Sequence, residues 1–359
     1  MSAPVRVRPA EAGDAGAVGE LARRASEQAQ SPALNEATLL SLGAEHGPAD
    51  PAPGDPAHGG PTPGDPVPGD PAHGESAHGG PTVLLAMAGG EPVGALAVHQ
   101  QDDPITAELV LPDGPHRDGA GDALLDELAR IAAGRREVPT RLWVHGRGSP
   151  VGPLAQRRGY AQQRVLARLV RPGDLPAPAA PIPPGVRIAP FRPGIDDEAW
   201  LAVNAAAFAD HPEQGRWTGR DLRDRLEAEW FDADGFLLGW LDPLAPSAGA
   251  AADPSAAAAP GAGEAGGPGG LVGFHWTKTE PDPRYPGTES GEVYVIGVWP
   301  GAAGLHLGSA LLSAGLEHLR ARGTARVYLY VDGDNDRARS LYEHVGFVED
   351  DVDICYDIA

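Results

Sequence analysis

Residues 291–347 read GEVYVIGVWPGAAGLHLGSALLSAGLEHLRARGTARVYLYVDGDNDRARSLYEHVGF. Leu307, Leu311, Leu312, Leu316 and Leu319 recur at the three- and four-residue intervals of an amphipathic helix. Val293 to Val298 and Val327 to Val331 carry the β-branched and aromatic residues of strands. The order is strand, glycine-bearing turn, helix, strand, and a short helix closing at Gly346-Phe347. A turn of small residues leading from a strand into a helix leaves backbone N–H groups unpaired at the helix start, and these suit a phosphate or pyrophosphate.

At 359 residues the chain is long for one small domain and comfortable for two. Its one cysteine, Cys355, excludes an intramolecular disulfide framework and a Cys-based zinc cluster, and fits a reducing cytoplasm. The start, MSAPVRVRPAEAGD, has no apolar core of signal-peptide length, and no run approaches the ~18 apolar residues of a membrane span. A cytoplasmic protein is expected. With 28 basic and 50 acidic side chains the net charge is −22, which makes nucleic acid and anionic membranes poor partners.

Two low-complexity insertions interrupt the pattern. Residues 43–81 repeat Pro-Gly-Asp-Pro and Ala-His-Gly units, a composition that cannot offset its ordering entropy by apolar burial, so disorder is expected there. His46, His58, His73 and His78 follow that repeat, and no metal is expected. Residues 243–270 are almost all Ala, Gly and Pro. The stretch PGDLPAPAAPIPPG at 172–185 has the stiffness of a polyproline linker and marks a boundary. The expected organisation is a first domain over 1–171, a linker over 172–185 and a second domain over 186–359.

The two segments lie on each other at a constant offset of 187. Gly121-Asp-Ala-Leu-Leu falls on Gly308-Ser-Ala-Leu-Leu, Leu142-Trp-Val on Leu329-Tyr-Val, Leu154 on Leu341, and Arg158-Gly-Tyr160 on Val345-Gly-Phe347. Two unrelated helices would not keep the strand, the second helix and the terminal Gly-aromatic pair in step, so the register indicates an internal duplication.

The unit at 291–347 resembles the acyl-coenzyme A site of the GCN5-related N-acetyltransferase superfamily. Together with the duplication this implies an α/β fold of two tandem acetyltransferase domains, each a mixed twisted sheet flanked by helices. Acyl transfer from a thioester to an amine needs a base for the ammonium proton and an acid for the leaving thiolate. Glu292 and Tyr342 suit those roles. At the same offset the first half has Ile105 and Ala155, which move no proton, so the second half is the expected catalytic one.

By the same resemblance Ile296, Gly297 and Val298 lie where a splayed strand pairs with the pantetheine arm. Ala303, Gly304, Leu305, His306, Leu307, Gly308 and Ser309 lie where a turn wraps the pyrophosphate, and Asn335, Asp336, Arg337, Ala338, Arg339 and Ser340 continue the wall. The superfamily favours Gln or Arg, two residues, Gly, one residue, then Gly or Ala. This chain has Ala303 first and His306 at the first Gly position, and Gly308 conforms. A His there either crowds the pyrophosphate or adds an N–H to its cradle. In the first half Leu109, Val110, Leu111 and the run His116 to Gly121 keep both glycines, which leaves a non-productive coenzyme site open.

For the acceptor, an unusual patch runs through His211-Pro-Glu-Gln-Gly215, Trp217, Trp230-Phe-Asp232 and Gly273-Phe-His-Trp-Thr-Lys278. Lys278 is the sole lysine among 28 basic residues, which marks a place where a compact ammonium cannot be exchanged for a guanidinium. With GEVYVIGV, LYVDGDN, LYEHVGF and Asn35-Glu36, these motifs resemble the mycothiol synthase family, over nearly the whole chain outside the insertions. The resemblance implies acetyl-CoA as co-substrate and a small polar amine as acceptor, namely the cysteinyl amine of a cysteinyl-glucosaminyl-inositol. It implies acceptor contacts from Glu36, Glu213, Lys278, Glu292 and Tyr330, Glu292 as base, Tyr342 as acid, no metal, and a monomer. Three alternatives stay open: an acetyltransferase for another amine, a non-catalytic acyl-CoA sensor, and a scaffold recruiting partners through its acidic insertions.

Overall fold

The computed structural model describes residues 4–35, 38–39, 42, 81–100, 103–209, 214–242, 267–282 and 287–358, and for Arg337 the backbone alone. Glu36, Glu213 and most of the two low-complexity insertions lie outside the described residues. Two compact units are present, Met1–Gln163 with Ile354–Ala359, and Arg164–Asp353.

In the first unit strands β1 (Arg6–Pro9), β2 (Thr82–Ala88), β3 (Glu91–His99) and β4 (Ile105–Val110) pair antiparallel in sequence order. Strand β5 (Thr140–His145) pairs parallel to β4, from Ile105–Thr140 to Glu108–Trp143. Helices α1 (Ala15–Ala29), α2 (Arg117–Gly134) and α3 (Val151–Arg157) cover the sheet. Leu96, Val98, Ala107 and Leu109 pack with Leu124, Leu125 and Leu128 of α2, while Leu85, Ala95 and Val110 pack with Val18, Leu21 and Ala25 of α1. Cover on both faces is why β3 reads as an unbroken apolar run rather than an alternating one.

The second unit contains most of β6 (Ala161–Pro172), then β7 (Val186–Pro190), α4 (Asp197–Ala207), α5 (Gly219–Leu226), β8 (Phe236–Leu241), β9 (Leu271–Pro281), β10 (Glu289–Val298), α6 (Leu307–Ala321), β11 (Arg326–Asp332), α7 (Asp336–His344) and the first part of β12 (Val348–Ile358). The strand order is β12-β6-β11-β10-β9-β8-β7. The β10–β11 pair is parallel, whereas β11–β6, β10–β9, β9–β8 and β8–β7 are antiparallel, so the sheet is mixed. Helix α6 buries Leu307, Leu311, Leu312, Leu316 and Leu319, the stripe that the leucine spacing predicts.

The sequence places the boundary in the Pro-rich stretch 172–185, but the compact units divide at Gln163/Arg164 and again at Asp353/Ile354. Leu166 to Pro172 supply the antiparallel partner of β11 inside the second unit, and β12 neighbours β5 in the first. A strand edge needs a hydrogen-bonding partner, and in a duplicated chain β5 and β11 offer equivalent edges. Composition marks where the chain is stiff and is silent on which edge a strand joins. Among the described residues no helix is long and apolar enough to cross a membrane.

Candidate active site

The parallel register between β10 and β11 covers Ser290–Arg326, Gly291–Val327 and Glu292–Tyr328, and it stops there. One residue later the β10–β9 register shifts between Val293 and Val295, a bulge centred on Tyr294. A bulge puts two successive side chains on one face and turns the strand. Accordingly Val293, Ile296 and Val298 pack toward α6, while Tyr294 and Val295 join the aromatic cluster on the other face. Past Glu292, β10 therefore diverges from β11 and turns a backbone edge toward the gap, which is how an extended amide-bearing arm can add to a sheet. The register ends ahead of Ile296–Val298, the segment for which a splay is expected. The Cβ of an alanine at Gly297 would stand 2.8 Å from the Phe274 ring, so that glycine serves core packing.

Glu292 sits at the mouth of the splay, 9% exposed, beside Lys278 on β9 and Tyr328 on β11. The Tyr328 hydroxyl stands 3.1 Å from Glu292 Oε2 and 2.5 Å from Glu280 Oε1. Lys278 Nζ lies 2.9 Å from Glu280 Oε2 and over the rings of Trp230, at 5.2 Å, and Tyr294, at 5.9 Å. A compact ammonium fits between carboxylate and ring faces here, which accounts physically for the lone lysine. Tyr330, two residues along β11 on the same face, lies within electrostatic reach of Asp353, Arg168 and Glu292. Burial above all, then Asp353, pushes its phenol well above the ordinary value. Lys278, Glu292 and Tyr330 are thus brought together. Tyr328, Glu280 and Arg168 join them and escape a sequence reading, although the alternation Tyr328-Leu-Tyr330 puts both phenols on one face.

Tyr342 on α7 packs against Phe347, ring centroids 5.9 Å apart, in the same apolar cluster as Val293. Burial pushes its phenol up to about 12. Because Val293 and Glu292 are consecutive on β10, Tyr342 lies on the α6 side and Glu292 on the opposite side. The two flank the splay from its two faces.

The turn before α6 leaves backbone donors open. Gly304 has φ 89° and His306 φ 58°, both left-handed, and no side chain caps the helix. Its first turn has no acidic residue, so the N–H groups of Leu307, Gly308 and Ser309 meet no competing carboxylate. A Cβ at Gly308 would have 3.6 Å to Val298, so this glycine keeps backbone open more than it relieves a clash. The corresponding turn of the first unit has Asp118 in the first turn of α2, paired through Arg117 to Asp113, which disfavours a phosphate.

At the start of α7 the Asn335 side chain accepts from Ala338 N–H at 3.1 Å, Asp336 sits in the first turn, and Arg339 pairs with Glu349 at 2.9 Å. These are the contacts of a capped helix. Much of the aromatic patch is likewise core: Trp276 and Trp200 are fully buried, with Trp217, Trp230 and Tyr294 around Trp276. Arg225 donates to Tyr294 Oη at 2.6 Å and stacks 4.0 Å over Trp217, holding the wall behind Lys278.

In the first unit Ile105 and Ala155 are fully buried apolar residues. That unit nevertheless holds a titratable pair of its own. Buried Glu108 accepts from Asn35 N–H at 2.6 Å and Thr38 Oγ1 at 2.5 Å, and lies 2.6 Å from His145 Nε2. Burial pushes the Glu108 carboxyl up, but the bonds from His145, Thr38 and Asn35 outweigh it and hold the group below its ordinary range. Leu109 and Leu111 line a crevice with His145 and Trp143 of about 10 Å³, room for one water.

Residues 218–347 match the family model described as Acetyltransferase (GNAT) family. The mycothiol acetyltransferase of Catenulispora acidiphila is 42% identical over 259 residues, 72% of this chain and 73% of its own length. That of Salinispora arenicola is 46% identical over 241 residues, 67% and 68% of the two chains. Among solved structures, a GCN5-related N-acetyltransferase from Sphaerobacter thermophilus has a TM-score of 0.62 at 18% identity, across 99% of this chain and 95% of that one. A tandem GNAT protein from the clavulanic acid biosynthesis pathway has a TM-score of 0.61 at 15% identity, across 99% and 98%. At those identities the structural likeness speaks for the fold, a tandem of acetyltransferase domains.

Proposed function

This chain belongs to the mycothiol acetyltransferase family, and on that premise we propose that it transfers the acetyl group of acetyl-CoA to the cysteinyl amine of 1D-myo-inositol 2-(L-cysteinylamino)-2-deoxy-α-D-glucopyranoside, giving mycothiol and CoA. The observation that carries the reading is the break of the β10–β11 register at Glu292, which sets a carboxylate at the opening of a strand gap next to an uncapped helix start. Acetyl-CoA supplies the thioester; the chain supplies position and proton handling.

Glu292 takes a proton from the acceptor ammonium, directly or through water, and the freed amine attacks the thioester carbonyl. Lys278, Glu292 and Tyr330 present charge and hydroxyl donors to a polar acceptor, with Glu36 and Glu213 as further contacts. Tyr342 donates to the departing sulfur. The backbone edge of Ile296 to Val298 and the N–H groups at the start of α6 hold the pantetheine arm and pyrophosphate, and the first unit is a non-catalytic partner. The enzyme acts in the cytoplasm, as a monomer, without a metal.

The test is thiol release from acetyl-CoA across a panel of amines that includes the cysteinyl pseudodisaccharide, an aminoglycoside and a peptide amino terminus. The cysteinyl acceptor is expected to have the highest kcat/KM. A higher value for another amine overturns the acceptor, and no release with any amine overturns the enzyme.

A further inference from the structure

Acylation of an ammonium by a thioester yields an amide, a thiol and one proton. That proton has to leave before Glu292 can act again, and Glu292 is only 9% exposed. Its neighbour across the last pair of the parallel register is Tyr328, whose hydroxyl lies between two carboxylates, 2.5 Å from Glu280 and 3.1 Å from Glu292. A phenol has one hydrogen. The nearer carboxylate takes it, so Tyr328 donates to Glu280 and turns an oxygen lone pair toward Glu292. That lone pair finds a donor once Glu292 carries the acceptor's proton. Glu280 is held by Lys278 at 2.9 Å and its side chain is 34% exposed, so water reaches it.

We propose that Tyr328 and Glu280 form the exit for the acceptor proton: the Glu292 carboxyl passes its proton to the Tyr328 oxygen as the Tyr328 hydroxyl passes its own to Glu280, which releases it to water. The step balances. Glu292 returns to carboxylate, Tyr328 stays a neutral phenol, and Glu280 returns to carboxylate when solvent takes the proton. Concerted transfer suits this phenol, because burial and then the two carboxylates push it well above its ordinary value and disfavour a phenolate. The other groups facing the chain are Lys278 on β9, Tyr294 on β10, Tyr330 on β11 and Arg168 on β6, whose guanidinium stands 5.9 Å from the Tyr328 ring centroid and pairs with Asp350 of β12. The inference rests on the reading of Glu292 as the base.

Steady-state kinetics of Tyr328→Phe, Glu280→Gln and Glu292→Gln test it, each with and without added imidazole as a small proton carrier. Tyr328→Phe and Glu280→Gln are expected to lower kcat by about tenfold or more, to leave the KM for acetyl-CoA unchanged, and to recover kcat as imidazole rises, while the parent is indifferent to imidazole. A structural role would not respond to a buffer. Parent-like kcat in both relay variants, or a loss that imidazole does not restore, overturns the relay. If in addition Glu292→Gln is slow, the base assignment survives. Parent-like activity of Glu292→Gln overturns the base itself. Glu280 is partly exposed, so its variant remains informative if Tyr328→Phe folds poorly.

Discussion

A phenol pushed up to about 12 keeps its proton at any physiological pH, which is the state a donor to a departing sulfur needs. A thiol is the stronger acid of the pair, with an ordinary pKa of roughly 8.5, so full transfer from Tyr342 is uphill. Its contribution is a hydrogen bond to sulfur as charge develops, while the second ammonium proton completes the thiol. Tyr342→Phe is therefore expected to lower kcat by roughly 10- to 100-fold with little change in acceptor KM, read by thiol release. His306 is a second case settled at one residue. A left-handed φ of 58° is easy for glycine and costs a side-chain-bearing residue about 1 kcal/mol, which explains why the superfamily has glycine there. His306→Gly is expected to lower the KM for acetyl-CoA and leave the melting temperature equal or higher. A higher KM would show instead that the imidazole helps hold the pyrophosphate. Glu292, Lys278 and Tyr342 were marked as candidates by the duplication or the composition. Tyr328 was not, because a tyrosine in a strand reads as packing until its hydroxyl is seen between two carboxylates.

Helix α6 packs so closely on β9 that a Cβ at Gly315 would fall 2.1 Å from the His275 ring. A glycine inside a helix costs about 1 kcal/mol relative to alanine, and here it gives room to a fully buried imidazole. His275 Nδ1 stands 2.8 Å from the Leu311 carbonyl, which can only accept, so Nδ1 carries a hydrogen. Burial lowers its pKa from 6.5 to about 4. The unfolded chain takes up a proton below about pH 6.5 and the folded chain resists until about 4, so this residue favours unfolding as pH falls through that window, by up to roughly 3 kcal/mol. His275→Gln does not titrate, and its stability relative to the parent is expected to improve between pH 7 and pH 4.5 in urea unfolding. A pH-independent difference would refute the neutral buried imidazole. The leucine stripe foretold α6 itself. Its approach to β9 depends on which small residue faces which large one, and periodicity does not carry that information.

At the scale of the whole molecule, the compact units are not the two halves of the sequence. A chain cut in the Pro-rich stretch 172–185 would leave the first fragment without Ile354–Ala359 and the second without β6, the partner of β11. Neither fragment is then expected to fold alone, whereas coexpression is expected to restore a soluble, active pair, checked by circular dichroism and thiol release. Cooperative unfolding of an isolated 186–359 fragment would contradict this, since its β11 would have an unpaired edge.

By itself the sequence determined the α/β character, the duplication, the glycine-bearing turn and the asymmetry between Glu292 and Ile105, because periodicity, glycine placement and proton-bearing side chains are local properties that a register comparison exposes. Only the tertiary structure decided which strand completes which sheet, where β10 leaves β11, and that Tyr328 and Glu280 stand behind Glu292. These depend on hydrogen-bond partners far apart in the chain, chosen by edge geometry and packing, and no window of neighbouring residues encodes them.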